Sequence, residues 1–272
     1  MASVTVPPLP RTPHLFGLFS VASVVDVADP HMFMGVQWQP YPCDNPSLWR
    51  HDCPPPDKPR EKRLTEQPAT VTATPINVYG SFDCKLVGYN MPEATARARE
   101  HLLLGEQHAV EYGVWTGASD NVPRLADTNT PSLGTVHDAA SLLSELYQAS
   151  DIHLAGDPVL HIPRAAAPHM RLHLMHAQGG RVVTAEGIPV AIGTGYTEAN
   201  TGPDGSKAPA GAFWVYATGP VTVWRGPVMD VPDPAEQGFN TRTNDYVALA
   251  ERQFLVGWDC LTLAALFAPA RG

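Results

Sequence analysis

Apolar residues in this chain fall mostly into short runs separated by glycine, proline and polar clusters, with one long stretch of helical periodicity. That stretch covers residues 92–116. Pro92 suits a first turn, where its missing N–H costs nothing. Glu93 favours the positive end of the helix, and Gly117 follows as a stop. Ala98, Leu102, Gly105, Ala109 and Tyr112 recur at four-three spacing along one stripe, while Arg97, Glu100, Glu106 and Glu111 fall away from it. So narrow a stripe of small residues suits a helix laid across a sheet or against a second chain. Upstream, residues 71–89 are rich in β-branched and aromatic side chains broken by Gly80 and Gly88, which predicts a strand pair or an extended loop. Downstream, Thr135 is a good N-cap for a second helix over about 136–149, with Asp138 at the capping-box position. Residues 157–162 read as a short buried strand, and Pro163 opens a third helix that bends or restarts near Pro168. A hairpin follows at 181–184 and 188–192, then a polar, turn-rich loop at 197–211. Strands at 213–217 and 221–225 are split by Gly219-Pro220. Residues 245–258 alternate over a long strand, with a helix as the alternative for their first half, and 261–267 form a final apolar strand.

The first 75 residues differ in character, since they hold 14 of the 28 prolines. Proline lacks an amide donor and fixes φ, so this region is neither a helix bundle nor a central sheet. Phe16, Phe19, Phe33, Trp38, Tyr41 and Trp49 make it too apolar for a solvated tail. It reads as an extended arm that needs a surface to pack on, and Phe16, Phe19, Trp38 and Trp49 are candidates for contact with neighbouring subunits. The mixed-charge run at 57–66, with Lys58, Arg60, Glu61, Lys62 and Arg63, is either a solvated loop or a second such contact. The start of the chain lacks a basic region and a clean small-residue cleavage site, so residues 15–27 are expected to be a packed arm or strand made in the cytoplasm. No run of 18 apolar residues exists, and no membrane span is expected.

The net charge of −9 argues against a nucleic-acid reader, because neutralising phosphates requires a basic face. Four cysteines are too few for a disulfide scaffold in 272 residues. Cys43 and Cys53 bracket a short loop that a disulfide could close, although a cytoplasmic origin opposes it. Cys84 and Cys260, in strand-like segments, read as buried small hydrophobes. His161, His169, His173 and His176 form the one tempting cluster, since the last three could share a helix face at ligand spacing. No Glu follows His169 as a zinc-protease pattern requires, and no carboxylate stands nearby to orient a ligand. These histidines are therefore read as a polar helix edge, and no metal site is assigned. Nucleophile elbows, Walker loops and Rossmann glycines are absent from the sequence, so no catalytic residue and no cofactor are assigned.

The order of elements resembles that of the major capsid proteins of tailed bacteriophages with the Hong Kong 97-type fold. The resemblance starts with the layout of arm, extended loop and long "spine" helix. It is carried further by PVLHIPRAAAPHM at 158–170, GGRVVTAEGIPV at 179–190 and AFWVYATGPVTVWRG at 212–226. TNDYVALAERQFLVGWDCLTLAALF at 243–267 is similar to the family's long return strand, with its Glu-Arg pair at Glu251–Arg252. About 200 residues are covered, from Val71 onward. The resemblance implies an α+β chain with an N-arm at 1–70 and an extended loop (E-loop) at 71–91. It implies a peripheral domain at 92–133 and 226–272, with the spine helix at 92–116, and an axial domain with a central sheet and flanking helices at 134–225. It further implies a structural, non-enzymatic subunit that self-assembles into hexamers and pentamers of an icosahedral phage head around double-stranded DNA. Such a head would be assembled in the host bacterial cytoplasm and would bind scaffolding, portal and decoration proteins. The same fold serves encapsulin-like compartment shells, and a minor head or tail protein is a further alternative. A negative chain suits a wall that encloses DNA without adhering to it.

Overall fold

In the computed structural model, the residues described are 8–49, 61–62, 64–85, 90–177, 179–231, 239–240 and 245–270. The chain enters through a one-turn helix, α1 (Leu18–Val21), and strand β1 (Ser23–Asp26). A 3-10 turn at Pro30–Met34 leads to β2 (Val36–Trp38), and then come β3 (Val71–Ala73) and the ten-residue β4 (Ile76–Lys85). Next are α2 (Met91–Thr116), β5 (Ser132–Val136), α3 (Ala139–His153) and β6 (Val159–Pro163). Strands β7 (Leu174–Ala177), β8 (Arg181–Thr184) and β9 (Pro189–Gly193) precede the short helix α4 (Thr194–Ala199). The chain continues through β10 (Phe213–Thr218), β11 (Thr222–Arg225), β12 (Met229–Val231), β13 (Phe239–Asn240), β14 (Asp245–Gly257) and β15 (Thr262–Phe267).

Helix α2 forms where its periodicity predicts, and its ends are held chemically. Asn90 accepts from the Glu93 amide while the Glu93 carboxylate accepts from the Asn90 amide, both at 3.0 Å, a complete capping box. Gly117 closes the other end in the left-handed conformation, φ 69°, donating its N–H to Gly113 at 2.8 Å. The 26 residues span about 39 Å at 1.5 Å each. The buried stripe is not the one the spacing suggested. It runs Ala94, Ala98, Leu102, Glu106, Val110 and Val114, four residues apart throughout, whereas Gly105, Ala109 and Tyr112 lie at its margin.

Two large sheets organise the described residues. In the first, β14 is the axis: β4 pairs antiparallel along ten of its residues, from Asp245 opposite Lys85 to Phe254 opposite Ile76. β11, β12 and β13 also pair antiparallel with β14, and β1 adds in parallel to β11. Helix α2 lies on this sheet. Gly80 permits the approach, since a Cβ there would run into the backbone of Ala98 and Leu102. Leu102, Val110, Val114, Trp115, Ala248, Ala250, Phe254 and Val256 form the core between them. The second sheet has the order β5-β15-β10-β6-β9-β8-β7. Helix α3 covers it with Leu142, Leu143 and Leu146 against Leu160, Ile162, Val190, Val215, Leu263 and Phe267.

Several predicted boundaries move. Helix α3 starts three residues later than the sequence suggests, because Asp138 is itself the N-cap, accepting from the Ser141 amide at 2.9 Å, while Thr135 belongs to β5. The third helix does not form. Pro163 ends β6, residues 167–170 make only a 3-10 turn, and residues 174–177 are strand β7, whose backbone bonds are taken by β8. β10 and β11, adjacent in sequence, do not pair with each other but enter different sheets. The polar loop begins later than expected, because residues 194–199 close into α4 and bury Tyr196 and Ala199.

Candidate functional site

Around α2, two carboxylates that the sequence places on its outer face turn inward. Glu106 continues the four-residue ladder between Leu102 and Val110, and β14 places Arg252 opposite it. Nη1 of Arg252 donates to both Glu106 oxygens, at 3.1 and 2.9 Å, with the two side chains 9% and 14% exposed. Burial pushes the Glu106 carboxyl up, and the adjacent guanidinium pulls it back. A second, more exposed ion pair ties the chain's beginning to the same sheet: Arg225 on β11 donates through Nε and Nη2 to Asp26 on β1, at 2.7 and 3.2 Å. The hydrogen bond from Arg225 holds the Asp26 carboxyl below its usual range.

Glu111, fully buried one turn further along, joins three elements. Its Oε1 accepts the Leu18 amide of α1 and its Oε2 the Gly195 amide of α4, each at 3.0 Å. Gly195 is required for that contact, since a Cβ would meet the α2 backbone at His108 and Tyr112. Burial raises the Glu111 pKa to about 7 even though backbone amides favour the charged form. Beside it, Tyr196 stacks at a tilt on Trp115, centroids 5.1 Å apart, and reaches His161 Nδ1 with its hydroxyl at 3.0 Å. His161 Nε2 meets Thr218 Oγ1 at 2.9 Å, and burial lowers the His161 pKa to about 3, so the ring is neutral. These groups meet protein partners, so their role is to position elements. Among the described residues, no three His, Cys, Asp or Glu side chains come together to hold a metal.

The histidine cluster read from the sequence is dispersed. His161 lies in the core of β6, and exposed His169 sits over Phe213 at 5.7 Å in the 3-10 turn. His173 follows in a turn, and His176 is on β7 with its side chain outside the described residues. Without the helix there is no shared face for them.

The arm also differs from expectation, because its first half packs on its own chain. Phe16 lies against the α3 core. Phe19 stacks on Phe254 at 5.6 Å, and Trp38 packs on Trp224 at 5.8 Å. Beyond Trp38 the character changes: Trp49 is 46% exposed with Lys62 Nζ 5.0 Å from its ring, and Glu61 is exposed. Lys58, Arg60, Arg63, Cys53 and the side chains of Phe33 and Cys84 lie outside the described residues. The Cys43–Cys53 pairing is corrected, since Cys43 is bonded to Cys260 across 217 residues, with Cα atoms 5.2 Å apart. Cys260 is not a buried hydrophobe but an exposed residue in the turn between β14 and β15. Fold topology brings those two segments together, and no local spacing encodes it. Glu106 did leave a readable signal, the unbroken apolar ladder on either side of it.

Among the described residues no helix is long and apolar enough to cross a membrane. No protein-family model matches the sequence, and no curated protein matches it by sequence. Solved structures match its shape over nearly its whole length. The capsid of a native GTA particle superposes with a TM-score of 0.57 at 15% identity, covering 98% of this chain and 94% of that one. A structure from Mycobacterium phage Bobi gives 0.56 at 12% identity, covering 100% and 96%. The capsid of cyanophage P-SCSP1u gives 0.51 at 11% identity, covering 100% and 93%. With its arm, its long helix laid on the β4–β14 ladder and its separate seven-stranded sheet, the chain has the fold of these capsid structures, the Hong Kong 97-type fold.

Proposed function

We propose that the protein is a major capsid subunit that self-assembles, as hexamers and pentamers, into an icosahedral phage head enclosing double-stranded DNA. The observation that carries this reading is the mutual coverage: the fold spans 98% of this chain and 94% of the GTA capsid chain. In this reading the β14-centred sheet with α2 is the peripheral domain, and the seven-stranded sheet with α3 is the axial domain. β11 therefore leaves the expected axial segment 134–225, and β15 leaves the expected peripheral segment 226–272. Strands β3 and β4 begin the extended loop. The negative charge of −9 fits a wall that encloses DNA without gripping it. Scaffolding, portal and decoration proteins are the further partners it implies, and the virion is its location.

Exposed apolar residues mark where neighbouring copies would gain burial. Tyr41, Leu48 and Leu64 on the outer arm and Tyr79 on β4 are 91%, 104%, 86% and 67% exposed. Point variants suit the test better than removing the arm, because Leu18 belongs to the main core and Phe19 packs against it. The test is negative-stain microscopy of the purified full chain, with a Leu48→Asp/Tyr79→Asp double variant alongside. Closed shells from the parent chain, and soluble folded subunits without shells from the variant, are the expected results. A parent chain that stays monomeric at assembly concentrations and with scaffold present would refute the reading.

A further inference from the structure

Among the described residues, one disulfide, in an exposed place, joins the arm to a distant part of the chain. Up to Trp38 it is held by packing: the indole fits over Gly257, lies against Trp224 and donates to Asp259 at 3.1 Å. Pro40 is also buried, and Gln39 Nε2 donates to Gln67 at 2.9 Å, but over 41–48 the hold seen among the described residues is polar and sparse. The Cys43 carbonyl accepts the Ala155 amide at 2.7 Å and Asn45 Nδ2 donates to the Asp151 carbonyl at 2.8 Å, both at the end of α3. Tyr41 and Leu48 flank these bonds almost fully exposed, so little apolar burial supports them. The Cys43–Cys260 bond lies in this thinly held stretch. Cys260 is exposed and Cys43 is half-buried, so a small thiol can reach the bond. Cys260 also adopts φ +66°, a left-handed conformation that disfavours a side chain bearing Cβ. Packing does not explain a cysteine there, because the residue buries little. A bond to the arm does explain it.

We propose that Cys43–Cys260 is a redox clasp that pins the outer arm to the end of α3 and the β14–β15 turn when oxidised and releases it when reduced. Closing the clasp takes two thiols and one small-molecule disulfide: RSSR accepts two electrons and two protons, giving the Cys43–Cys260 bond and two RSH. Opening it is the reverse, by thiolate exchange through a mixed disulfide. In a reducing medium residues 41–49 are therefore released beyond the buried Pro40, and in an oxidising medium they are fixed. The inference concerns the single chain and stands independently of the shell reading.

The full-length protein, treated in parallel with oxidised glutathione and with dithiothreitol, tests it directly. Free thiols are alkylated under native conditions and mapped by mass spectrometry, and amide hydrogen exchange is followed at Ala155 and across residues 39–49. The oxidised sample is expected to yield a peptide pair joined at Cys43 and Cys260. On reduction, exchange at Ala155 should accelerate by roughly tenfold or more, reversibly, while the centre of α2 is unchanged. The C43S/C260S variant should show the fast exchange without reductant. Both thiols remaining free after oxidation, Cys43 joined to Cys53 or to another copy, or Ala155 exchange indifferent to reduction would each overturn the clasp.

Discussion

Arg252 on β14 presents one nitrogen, Nη1, to both carboxylate oxygens of Glu106 on α2, inside the contact between the long helix and its sheet. An ion pair so nearly buried is strong only as a pair, because either partner left alone keeps its desolvation cost without its counter-charge. Glu106→Ala or Arg252→Ala should each destabilise the subunit by about 3–5 kcal/mol. The apolar double replacement Glu106→Leu/Arg252→Met should recover most of that loss. Denaturant unfolding of the three variants checks it, and a double variant no better than the singles would show that packing, not charge, sets the cost.

Glu111 and His161 should pull the pH dependence of stability in opposite directions. The folded pKa of Glu111, about 7, lies above its ordinary 4.5, so the folded state holds the proton and stability falls as pH rises from 4.5 to 7, by on the order of 3 kcal/mol. The folded pKa of His161, about 3, lies below its ordinary 6.5, so stability falls as pH drops from 6.5 towards 3, by on the order of 5 kcal/mol. Glu111→Gln should therefore make acidification from pH 7 to 4.5 more damaging, and His161→Gln should make it less so. Unfolding free energies measured across that range decide the matter, and profiles parallel to the parent's would contradict both assignments.

Two glycines near each other should respond with opposite sign. An added Cβ at Gly80 meets the α2 backbone, which cannot swing aside, so Gly80→Ala should cost about 2–3 kcal/mol or more. At Gly105, on α2 itself, nothing lies within 4 Å of the added Cβ, so Gly105→Ala should stabilise the subunit by about 0.5–1 kcal/mol. Thermal unfolding of the purified protein is the measurement, and a gain at Gly80 would mean that β4 does not lie on the helix as described.

Helix α2 owes its sharp start to Asn90, whose side chain caps the Glu93 amide. Asn90→Ala should cost about 1 kcal/mol. The effect should appear as faster amide exchange confined to the first turn, with the last turn at Gly117 unaffected. Uniformly faster exchange along the helix would point instead to global destabilisation.

These residues also show what the chain discloses before it folds. Helix α2, the β8–β9 hairpin and the long β14 were legible because each is specified locally, by caps, glycine turns or alternation. The inward turn of Glu106 and Glu111 was not, because a charge on a helix is solvated unless a distant partner meets it, and those partners lie at Arg252, Leu18 and Gly195. The failed helix after Pro163 has the same origin. Its Ala-rich sequence favours helix locally, but the segment ends as β7 because β8 offers it a ladder. The bond of Cys43 to Cys260 rather than Cys53 depends on the register of an entire sheet.

Sequence neighbours β10 and β11 part into different sheets, and so do β14 and β15, with β15 placed between β5 and β10. The seven-stranded sheet therefore has a gap in it until residues 262–267 have emerged from the ribosome, and β4 waits for β14, residues 245–257. Ribosome-bound nascent chains can form α2 and the β8–β9 hairpin but neither complete sheet. A chain built this way completes its fold in one late, concerted step. Truncated translation products then lack a finished sheet of either kind, and cannot present the surfaces of the complete fold.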